Sequence, residues 1–489
     1  MHLTVRRAAG AGAVSEDSLS SAAGACGVGI ASRDLNPMTS TIKITEEHSS
    51  DAKFFGVFFS LLALIYAGWL FVFWPGVLGE DSRAILLEVM NPDTQNSGKP
   101  VFWYYFVRIF YLPHERVESP VFAMLMISAF IQARILGWCW ARRFFKTALF
   151  LFFFISLAPH FVFFAGSLYP DGLFAIGTAG LLFEIWLIAK QRQTTALSLA
   201  IITISLPIAA FARANGIIFL LPFIILIFLA TPQGRWWLGS ILMGWCSLMA
   251  VGTQFHKSQG QGVLYPLAIF ETVNFLQPRP MNLWVAAPRI SPLTVETLQK
   301  YKPIDNYISY YDPDYWDTLV FQPEGPRVMS LSKQDQKIIT KQFFKYNLWH
   351  NIPSFIGSRV NIFLVSALAQ GGLPSFDYAE HVLKFTKSKS QYRQHDLKSS
   401  ENLLRAHYEL SYKYRFLLWT PFIGIGLLFW ALRHGTIKRD LALLIISAPM
   451  LIQLGAIFIF SIAGEYRYIL PFFTLPLVLL PVLAATKKH

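Results

Sequence analysis

Charged residues are scarce in this chain. Only 15% of its 489 residues are Asp, Glu, Lys or Arg, whereas 54% are hydrophobic and the mean hydropathy is +0.42. A soluble domain has about 25% charged residues. The deficit falls in runs of about twenty apolar residues, the length that crosses the ~30 Å hydrocarbon core of a bilayer. The sequence therefore predicts an all-α polytopic membrane protein.

Cysteines and cofactor-binding motifs are also scarce. Cys26, Cys139 and Cys246 show no metal-binding spacing, and the last two lie in apolar runs, so we expect packing roles rather than a disulfide framework. The chain has no GxxxxGK[ST] sequence, no GxGxxG after a strand and no HExxH. No cofactor is predicted with certainty, and a divalent metal is left open. Any activated donor is expected to come from the membrane rather than the cytosol.

The basic residues point to lipid rather than to nucleic acid. The formal net charge is +13, and Lys and Arg flank the apolar runs. This distribution follows the positive-inside bias and suits contact with anionic headgroups. No nucleic-acid-binding motif accompanies the charge. Membrane lipids are therefore the predicted partners, and nucleic acid is not.

Composition divides the chain into four parts. Residues 1–52 are rich in small and polar residues, which is typical of a disordered cytoplasmic tail. Residues 53–254 predict an N-terminal transmembrane module with a catalytic outer loop at 77–119. Residues 255–412 predict an extracytoplasmic domain with interfacial helices, and residues 413–489 a C-terminal transmembrane module.

Hydropathy and flanking basic residues predict about ten membrane spans with both termini in the cytoplasm. One apolar piece, 352–373, decides this count, because Arg359 and Asn361 interrupt it. If it crosses, the basic residues near Arg433 and Lys438 fall outside; the charge bias favours a position in the interface instead. The ten predicted spans are 54–74, 120–141, 147–166, 172–189, two within 196–230, 236–254, 416–432, 441–463 and 468–486.

A carboxylate pair, Glu80-Asp81, follows the first apolar run. Pro75 and Gly76 break the helix there, so the pair is expected at the membrane–water boundary. The ordinary interpretation is a polar cap on a span. Alternatively, partial burial beside a second carboxylate raises the pKa of one member, which suits a general base.

Three other polar groups are predicted to face the same side. Asp171 lies in a Pro-Asp-Gly turn after the third span, and either ends that span or acts in the site. Arg467, between Tyr466 and Tyr468, is either an aromatic-belt residue that reaches headgroups or a phosphate clamp. Arg213 has the same two interpretations. Arg134, inside the second span, is expected to have a partner or a cavity.

The order of these features resembles that of the GT-C superfamily of integral-membrane glycosyltransferases, which includes protein O-mannosyltransferases and the lipid A aminoarabinose transferase. Two departures are Lys99 where many members have histidine, and a middle region, 255–412, with no counterpart. The resemblance lies in Gly79-Glu80-Asp81, Lys99-Pro100-Val-Phe-Trp-Tyr-Tyr, Ser-Leu-Tyr-Pro-Asp171, Phe-Ala-Arg213-Ala-Asn-Gly and Glu-Tyr-Arg467-Tyr-Ile-Leu-Pro.

This resemblance implies a GT-C-like bundle in the bacterial inner membrane, with its active site facing the periplasm. The implied reaction is inverting transfer of a sugar from a polyprenyl-phosphate donor to a glycan or glycolipid of the cell envelope, such as lipopolysaccharide O-antigen. The implied roles are a general base for Asp81, positioning of acceptor or base for Glu80 and Asp171, and donor binding for Arg467, Tyr466, Tyr468, Arg213 and Lys99. Which sugar and which acceptor are left open.

Two other functions fit part of the pattern. A transporter or flippase of lipid-linked glycan would have ionisable residues at mid-membrane and inverted repeats. No clear repeat is visible, and the charged motifs gather at one face. In a non-catalytic envelope-assembly subunit, the acidic motifs would only cap loops.

Overall fold

The structure, a computed structural model, describes residues 40–256, 262–278 and 289–487, with side chains from residue 51. Most of the predicted tail, together with Cys26, lies outside the described residues. The described residues form helices and no β-strand; two isolated bridges join Val77 to Ser167 and Tyr315 to Ala463. From Glu47 onward they belong to one compact unit.

The helices follow the three-part order of the sequence after the tail. The first part contains α1 (Ser40–Val72), α2 (Glu80–Met90), α3 (Val101–Tyr111), α4 (Glu118–Ala141), α5 (Phe145–Leu151), α6 (Pro159–Ala165), α7 (Pro170–Gln191), α8 (Ala196–Phe211), α9 (Leu220–Leu229) and α10 (Pro232–Phe255). The middle part contains α11 (Leu264–Leu276), α12 (Pro292–Gln299), α13 (Ile304–Ser309), α14 (Asp317–Phe321), α15 (Lys333–Gln342), α16 (Leu348–His350), α17 (Ile352–Ala367), α18 (Tyr378–Thr386) and α19 (Lys398–Lys413). The last part contains α20 (Arg415–Leu418), α21 (Phe422–Lys438), α22 (Leu441–Phe460), α23 (Leu470–Thr474) and α24 (Pro476–Lys487).

Seven helical segments of the described chain are long and apolar enough to cross a membrane, which confirms a polytopic all-α membrane protein. The bent pair α5–α6 makes an eighth if it counts as one span. The remaining two of the ten predicted spans coincide with shorter apolar helices, Ala196–Phe211 and Ala214–Leu229, so the number ten stays a prediction. The seven are Asp51–Val72, Glu118–Ala141, Pro170–Gln191, Pro232–Phe255, Arg415–Lys438, Leu441–Phe460 and Tyr466–Lys487.

The third predicted span, 147–166, is broken rather than continuous. A π-helical turn, Phe152–Ser156, follows α5, and Pro159 then begins α6 at a bend of 63°. Proline has no backbone N–H and its ring clashes with the preceding turn, so a straight helix cannot continue through it. The bend brings the end of α6 and the segment Gly166–Tyr169 back toward α1.

Helix α7 lies at the centre of the bundle, and its apolar window is entirely buried. Small residues allow neighbours to approach closely: a Cβ at Gly177 would lie 2.4 Å from Ile208 Cγ2, and one at Gly180 would lie 2.6 Å from Ile131 Cγ2. Close packing over small residues is a main source of helix association in lipid. The first turn of α7, which carries Asp171, is thereby fixed between α4 and α8.

Arg134 has carboxylate partners, which was one of the two alternatives that the sequence left open. Its Nε lies 2.6 Å from Glu184 Oε1, and its Nη1 lies 3.7 Å from Asp51 Oδ2. Asp51 in turn pairs with Arg142 at 2.8 Å. A buried cation inside an apolar helix is tolerated when such carboxylates compensate it. The network therefore joins α1, α4 and α7.

The middle part has an apolar core of its own. Phe270 of α11, Leu298 of α12, Leu319 of α14 and Ile339 of α15 are fully buried in one cluster. This cluster is separate from the large core of the membrane helices, which α18 and α19 join through Val382 and Tyr408. Helices α11 to α15 therefore have an apolar core of their own, whereas α18 and α19 pack with the membrane helices.

Candidate functional site

Five charged residues from separate helices meet at one end of the bundle. Asp81 lies in the first turn of α2 and Asp171 in the first turn of α7. Lys99 lies just before α3, Arg213 just after α8, and Arg467 in the 3-10 turn Tyr466–Ile469. A helix N-terminus stabilises a carboxylate, which favours both aspartates at these positions. We call these five residues the charged cluster.

Backbone bonds place the two aspartates side by side. Val77 N donates to Gly166 O at 3.1 Å, and Leu168 N donates to Val77 O at 3.1 Å. The hydroxyl of Ser82 accepts a bond from Gly79 N and donates to Leu168 O at 3.0 Å. The start of α2 is thereby fixed to the segment that leads into α7.

The cluster is a continuous line of alternating charges. Lys99 Nζ lies 2.7 Å from Asp81 Oδ2, and Arg467 Nη1 donates to the same oxygen. Arg467 Nη1 also lies 3.9 Å from Asp171 Oδ2, while Arg213 pairs with Asp171 Oδ1. Each carboxylate therefore lies between two cations, and Arg467 links the two halves.

Glu465 and two tyrosines complete the surroundings of the arginines. Arg467 Nε donates to Glu465 Oε2 at 2.6 Å. The guanidinium of Arg467 lies 5.0 Å from the ring centre of Tyr169, and that of Arg213 lies 5.0 Å from the ring of Tyr468. Glu465 and Tyr169 were not among the predicted site residues. Their signal was their position inside two motifs that the sequence analysis had already singled out.

The electrostatics of Asp81 differ from the expectation. Burial alone would raise the pKa of Asp81, but the charges and hydrogen bonds of Lys99 and Arg467 outweigh it and hold this pKa well below its usual range. Asp81 is therefore not the member of the pair whose pKa is raised. Burial, ahead of all charge effects, lowers the pKa of Lys99.

Glu80 and Tyr466 lie apart from the cluster. Glu80 is exposed, pairs with Arg83 at 2.6 Å and accepts a bond from the Tyr378 hydroxyl of α18. Tyr466 is fully buried, and its hydroxyl donates to Trp419 O at 2.7 Å. The structure thus brings together six of the eight predicted site residues: Asp81, Lys99, Asp171, Arg213, Arg467 and Tyr468.

A strap of irregular chain, 370–377, passes over this end of the bundle. Gly371 O accepts a bond from Tyr466 N at 3.2 Å. Gly372 has φ +78°, and a Cβ there would lie 2.7 Å from Glu465 Cβ, so only glycine fits without strain. A Cβ at Gly79 would meet Pro374 at 3.3 Å. The strap therefore bridges Glu465 and the start of α2.

The described residues include no group of three or more His, Cys, Asp or Glu side chains placed to hold a metal ion. The carboxylates of the cluster are instead compensated by cations of the chain itself. Chemically, such a line offers cations that can exchange a carboxylate for a phosphate. It also offers a carboxylate that becomes more basic when they do.

Comparisons with models of protein families, with curated proteins and with solved structures find no match for this chain.

Proposed function

We propose that this protein is a membrane glycosyltransferase that transfers a sugar from a polyprenyl-phosphate donor to a hydroxyl group of a cell-envelope glycan or glycolipid. The observation that carries the proposal is the charged cluster, in which Asp81 shares one oxygen with Lys99 and Arg467. Asp81, the candidate base, is thus in direct contact with Lys99 and Arg467, the candidate phosphate ligands. They lie at the ends of apolar helices, where a lipid-linked substrate in the membrane can reach them.

The donor phosphate would replace carboxylates as the partner of the cations. Arg467 presents a planar guanidinium that can bind two phosphate oxygens, and Lys99 adds a compact charge. Arg213 lies one carboxylate further along, on Asp171. As the phosphate takes up Lys99 and Arg467, Asp81 loses the charges that depress its pKa. Donor binding therefore makes Asp81 a stronger base.

The transfer step then needs one proton acceptor and one stabilised leaving group. Asp81 removes the proton of the acceptor hydroxyl as the hydroxyl oxygen bonds to the anomeric carbon. The bond between that carbon and the phosphate oxygen breaks, and polyprenyl phosphate leaves with the electron pair. Lys99 and Arg467 offset the negative charge that grows on this oxygen. Attack from the face opposite the phosphate inverts the anomeric centre.

The location follows from the charge asymmetry of the sequence. Basic residues such as Arg142, Arg143 and Lys146 follow the second span, at the end opposite Asp81. By the positive-inside bias they face the cytoplasm, so the cluster faces outward. The GT-C resemblance implies that this outer face is the periplasmic face of a bacterial inner membrane. The proposal includes ten spans and an extracytoplasmic middle domain.

The cluster supports an enzyme over the two alternatives. A flippase has to expose a charged site at mid-membrane, whereas these five residues lie next to helix ends. In an assembly subunit, loop-capping carboxylates would not need to collect three cations from Lys99, Arg213 and Arg467. Shared ion pairs of this kind are costly to bury, which favours a use beyond folding.

The test is transfer by the purified protein in lipid nanodiscs, given radiolabelled polyprenyl-phosphate sugars and extracted envelope glycans. Asp81→Asn should abolish transfer, because the amide cannot accept the proton. It should keep or strengthen binding of polyprenyl phosphate, because a carboxylate that competes for Arg467 is gone. Glu80→Gln, one position away and exposed, is the matched control and should transfer normally.

Near-normal transfer by Asp81→Asn would remove the base assignment. Movement of the donor between the leaflets of sealed proteoliposomes without transfer, by the unaltered protein, would establish the flippase instead.

A further inference from the structure

The middle part carries a shallow, open cleft of about 500 Å³. It is formed by the end of α13, the start of α14 and the segment between them. Tyr310, Tyr311 and Asp312 line it together with Thr318 and Gln322. All of these belong to the region, 255–412, that has no counterpart in the resemblance.

Backbone contacts join the segment that contains the cleft to the residues just before Arg467. Gly464 N donates to Asp314 O at 2.7 Å, and Tyr315 pairs with Ala463 in an isolated bridge. Burial and the nearby carboxylate of Glu465 raise the pKa of Tyr315 to about 12. Glu465 directly follows Gly464 and pairs with Arg467. The segment that contains the cleft is therefore fixed beside the residues that surround Arg467.

The lining has the composition of a saccharide subsite. Tyr310 and Tyr311 are half-buried, and the ring centre of Tyr311 lies 5.5 Å from that of Phe270 in the apolar core. The flat apolar face of an aromatic ring suits the C–H surface of a sugar. Asp312, Thr318 and Gln322 add carboxylate, hydroxyl and amide groups, which suit sugar hydroxyls.

The charge of the segment restricts which saccharide fits. Asp312, Asp314 and Asp317 lie within six residues, and Asp314 is held by Asn361 Nδ2 at 2.7 Å rather than by a cation. Asp317, at the start of α14, is exposed, so this segment presents three carboxylates. A phosphorylated or uronic glycan would be repelled by them.

We propose that this cleft, next to Gly464 and Glu465, binds the acceptor as an uncharged or amino-bearing glycan. The inference rests on the proposed function for the word acceptor, because it directs a sugar hydroxyl toward Asp81. That the cleft binds a saccharide at all is inferred from its lining alone. The proposal gives a function to the region 255–412, to which the charged motifs give none.

The test measures glycan binding separately from transfer. The full-length protein in nanodiscs is applied to an array of defined oligosaccharides that are neutral, amino-bearing or anionic. Neutral and amino-bearing members should bind, and anionic ones should not. Tyr310→Ala should weaken the binding about ten-fold, whereas Tyr310→Phe, which keeps the ring, should retain most of it.

Asp312→Asn tests the charge. This variant should bind amino-bearing oligosaccharides about ten-fold more weakly, and it should bind anionic oligosaccharides that the unaltered protein does not bind. Asp305→Asn, an exposed aspartate of α13 outside the cleft, is the matched control and should change nothing. Unfolding temperatures of all variants establish that the domain still folds.

The inference is overturned if no member binds, if anionic members bind best, or if Tyr310→Ala binds like the unaltered protein. Binding of polyprenyl phosphate and its loss in Arg467→Ala are measured in parallel. If the unaltered protein binds polyprenyl phosphate but no glycan, the saccharide site is wrong and the proposed function stands. If it binds glycan but transfers no sugar, the proposed function is wrong and the saccharide site stands.

Discussion

Arg467 is the residue through which the whole site is connected. Its Nε is held by Glu465 at 2.6 Å, its Nη1 reaches Asp81, and its charge lies over the ring of Tyr169. The guanidinium plane is therefore fixed before any substrate arrives. A ligand that replaces Asp81 meets a donor already in orientation, so little conformational entropy is lost on binding.

This geometry predicts that Arg467 cannot be replaced by lysine without loss. Arg467→Lys should weaken binding of polyprenyl phosphate about ten-fold, because a point charge replaces a bidentate donor. Arg467→Ala should weaken it about a hundred-fold, because the charge and the hydrogen-bond donors are both lost. Titration of the lipid phosphate into nanodisc-embedded protein measures both. Arg415→Ala, whose guanidinium lies over Tyr412 at 4.3 Å, is the control. Equal affinity in all three variants would remove the phosphate clamp.

At this scale the sequence predicts the participants better than their partners. Asp81, Asp171, Arg213 and Arg467 were predicted because each lies beside an apolar run, and Lys99 was predicted through the family resemblance. Their ion pairs could not be predicted, since the partners of Asp81 lie 18 and 386 positions away. That is also why the depressed pKa of Asp81 could not be predicted from the sequence.

Neighbours in sequence were separated by helix geometry. Successive side chains of a helix differ by about 100° in direction, so Glu80 and Asp81 in the first turn of α2 point to different surroundings. Tyr466 and Arg467 diverge in the same way within a 3-10 turn. A motif can therefore indicate a site while only some of its members reach it.

At the scale of elements, Arg359 joins three helices. It is fully buried in α17 and pairs with Glu271 of α11, which is also fully buried. Ser461 O, just after α22, accepts a further bond from Arg359. In the sequence this arginine only interrupted an apolar run. In the structure it fixes α17 to the loop that leads to Glu465 and Arg467.

A buried pair of this kind predicts a characteristic mutational pattern. Arg359→Met alone or Glu271→Met alone should destabilise the protein by about 3 kcal/mol, because each leaves an uncompensated buried charge. The double variant should lose less than the sum. Chemical unfolding in mixed micelles measures all three. Removal of Lys384 from the exposed pair with Glu380 should cost about 0.3 kcal/mol. Single Arg359 variants as mild as this control would contradict the interpretation.

The broken third span and the buried histidine beside it show where element-level prediction ended. Pro159 was visible in the sequence, but apolar composition alone still favoured one continuous span. The ring centre of His160 lies 4.6 Å from that of Trp419, and neither ring nitrogen of His160 has a hydrogen-bond partner within the described part of the chain. Periodicity reveals which face is apolar and not which polar atoms find partners.

At the scale of the whole molecule, the contact between Asp81 and Arg467 restricts the topology. Two residues on the same side of a membrane are separated by an even number of crossings. Between them lie five of the long apolar segments, from Glu118–Ala141 to Leu441–Phe460, and the bent pair α5–α6 makes six. The two short segments within 196–229 add either none or a hairpin of two. The number of crossings between Asp81 and Arg467 is then six or eight. A crossing by α17 would make this number odd and would place the two residues on opposite sides of the membrane.

The length of α17 points the same way. Its 16 residues extend about 24 Å, which is short for a hydrocarbon core of ~30 Å. Its exposed apolar residues, Ile352, Ile356, Val360 and Leu364, recur every four positions and form one stripe. Such a stripe suits a helix that lies in the interface with one face toward lipid. The charge bias of the sequence had favoured this alternative.

Cysteine labelling therefore tests the topology and the site together. In a variant without Cys26, Cys139 and Cys246, single cysteines replace exposed Trp349 and Gln370, one at each end of α17. An impermeant maleimide should label both from outside intact cells, together with an outer marker at Glu80. An inner marker at Arg439 should react only after permeabilisation. If the cysteines at positions 349 and 370 react from opposite sides of the membrane, α17 crosses it. The number of crossings between Asp81 and Arg467 is then odd, so Asp81 and Arg467 cannot share a site on one face of the membrane.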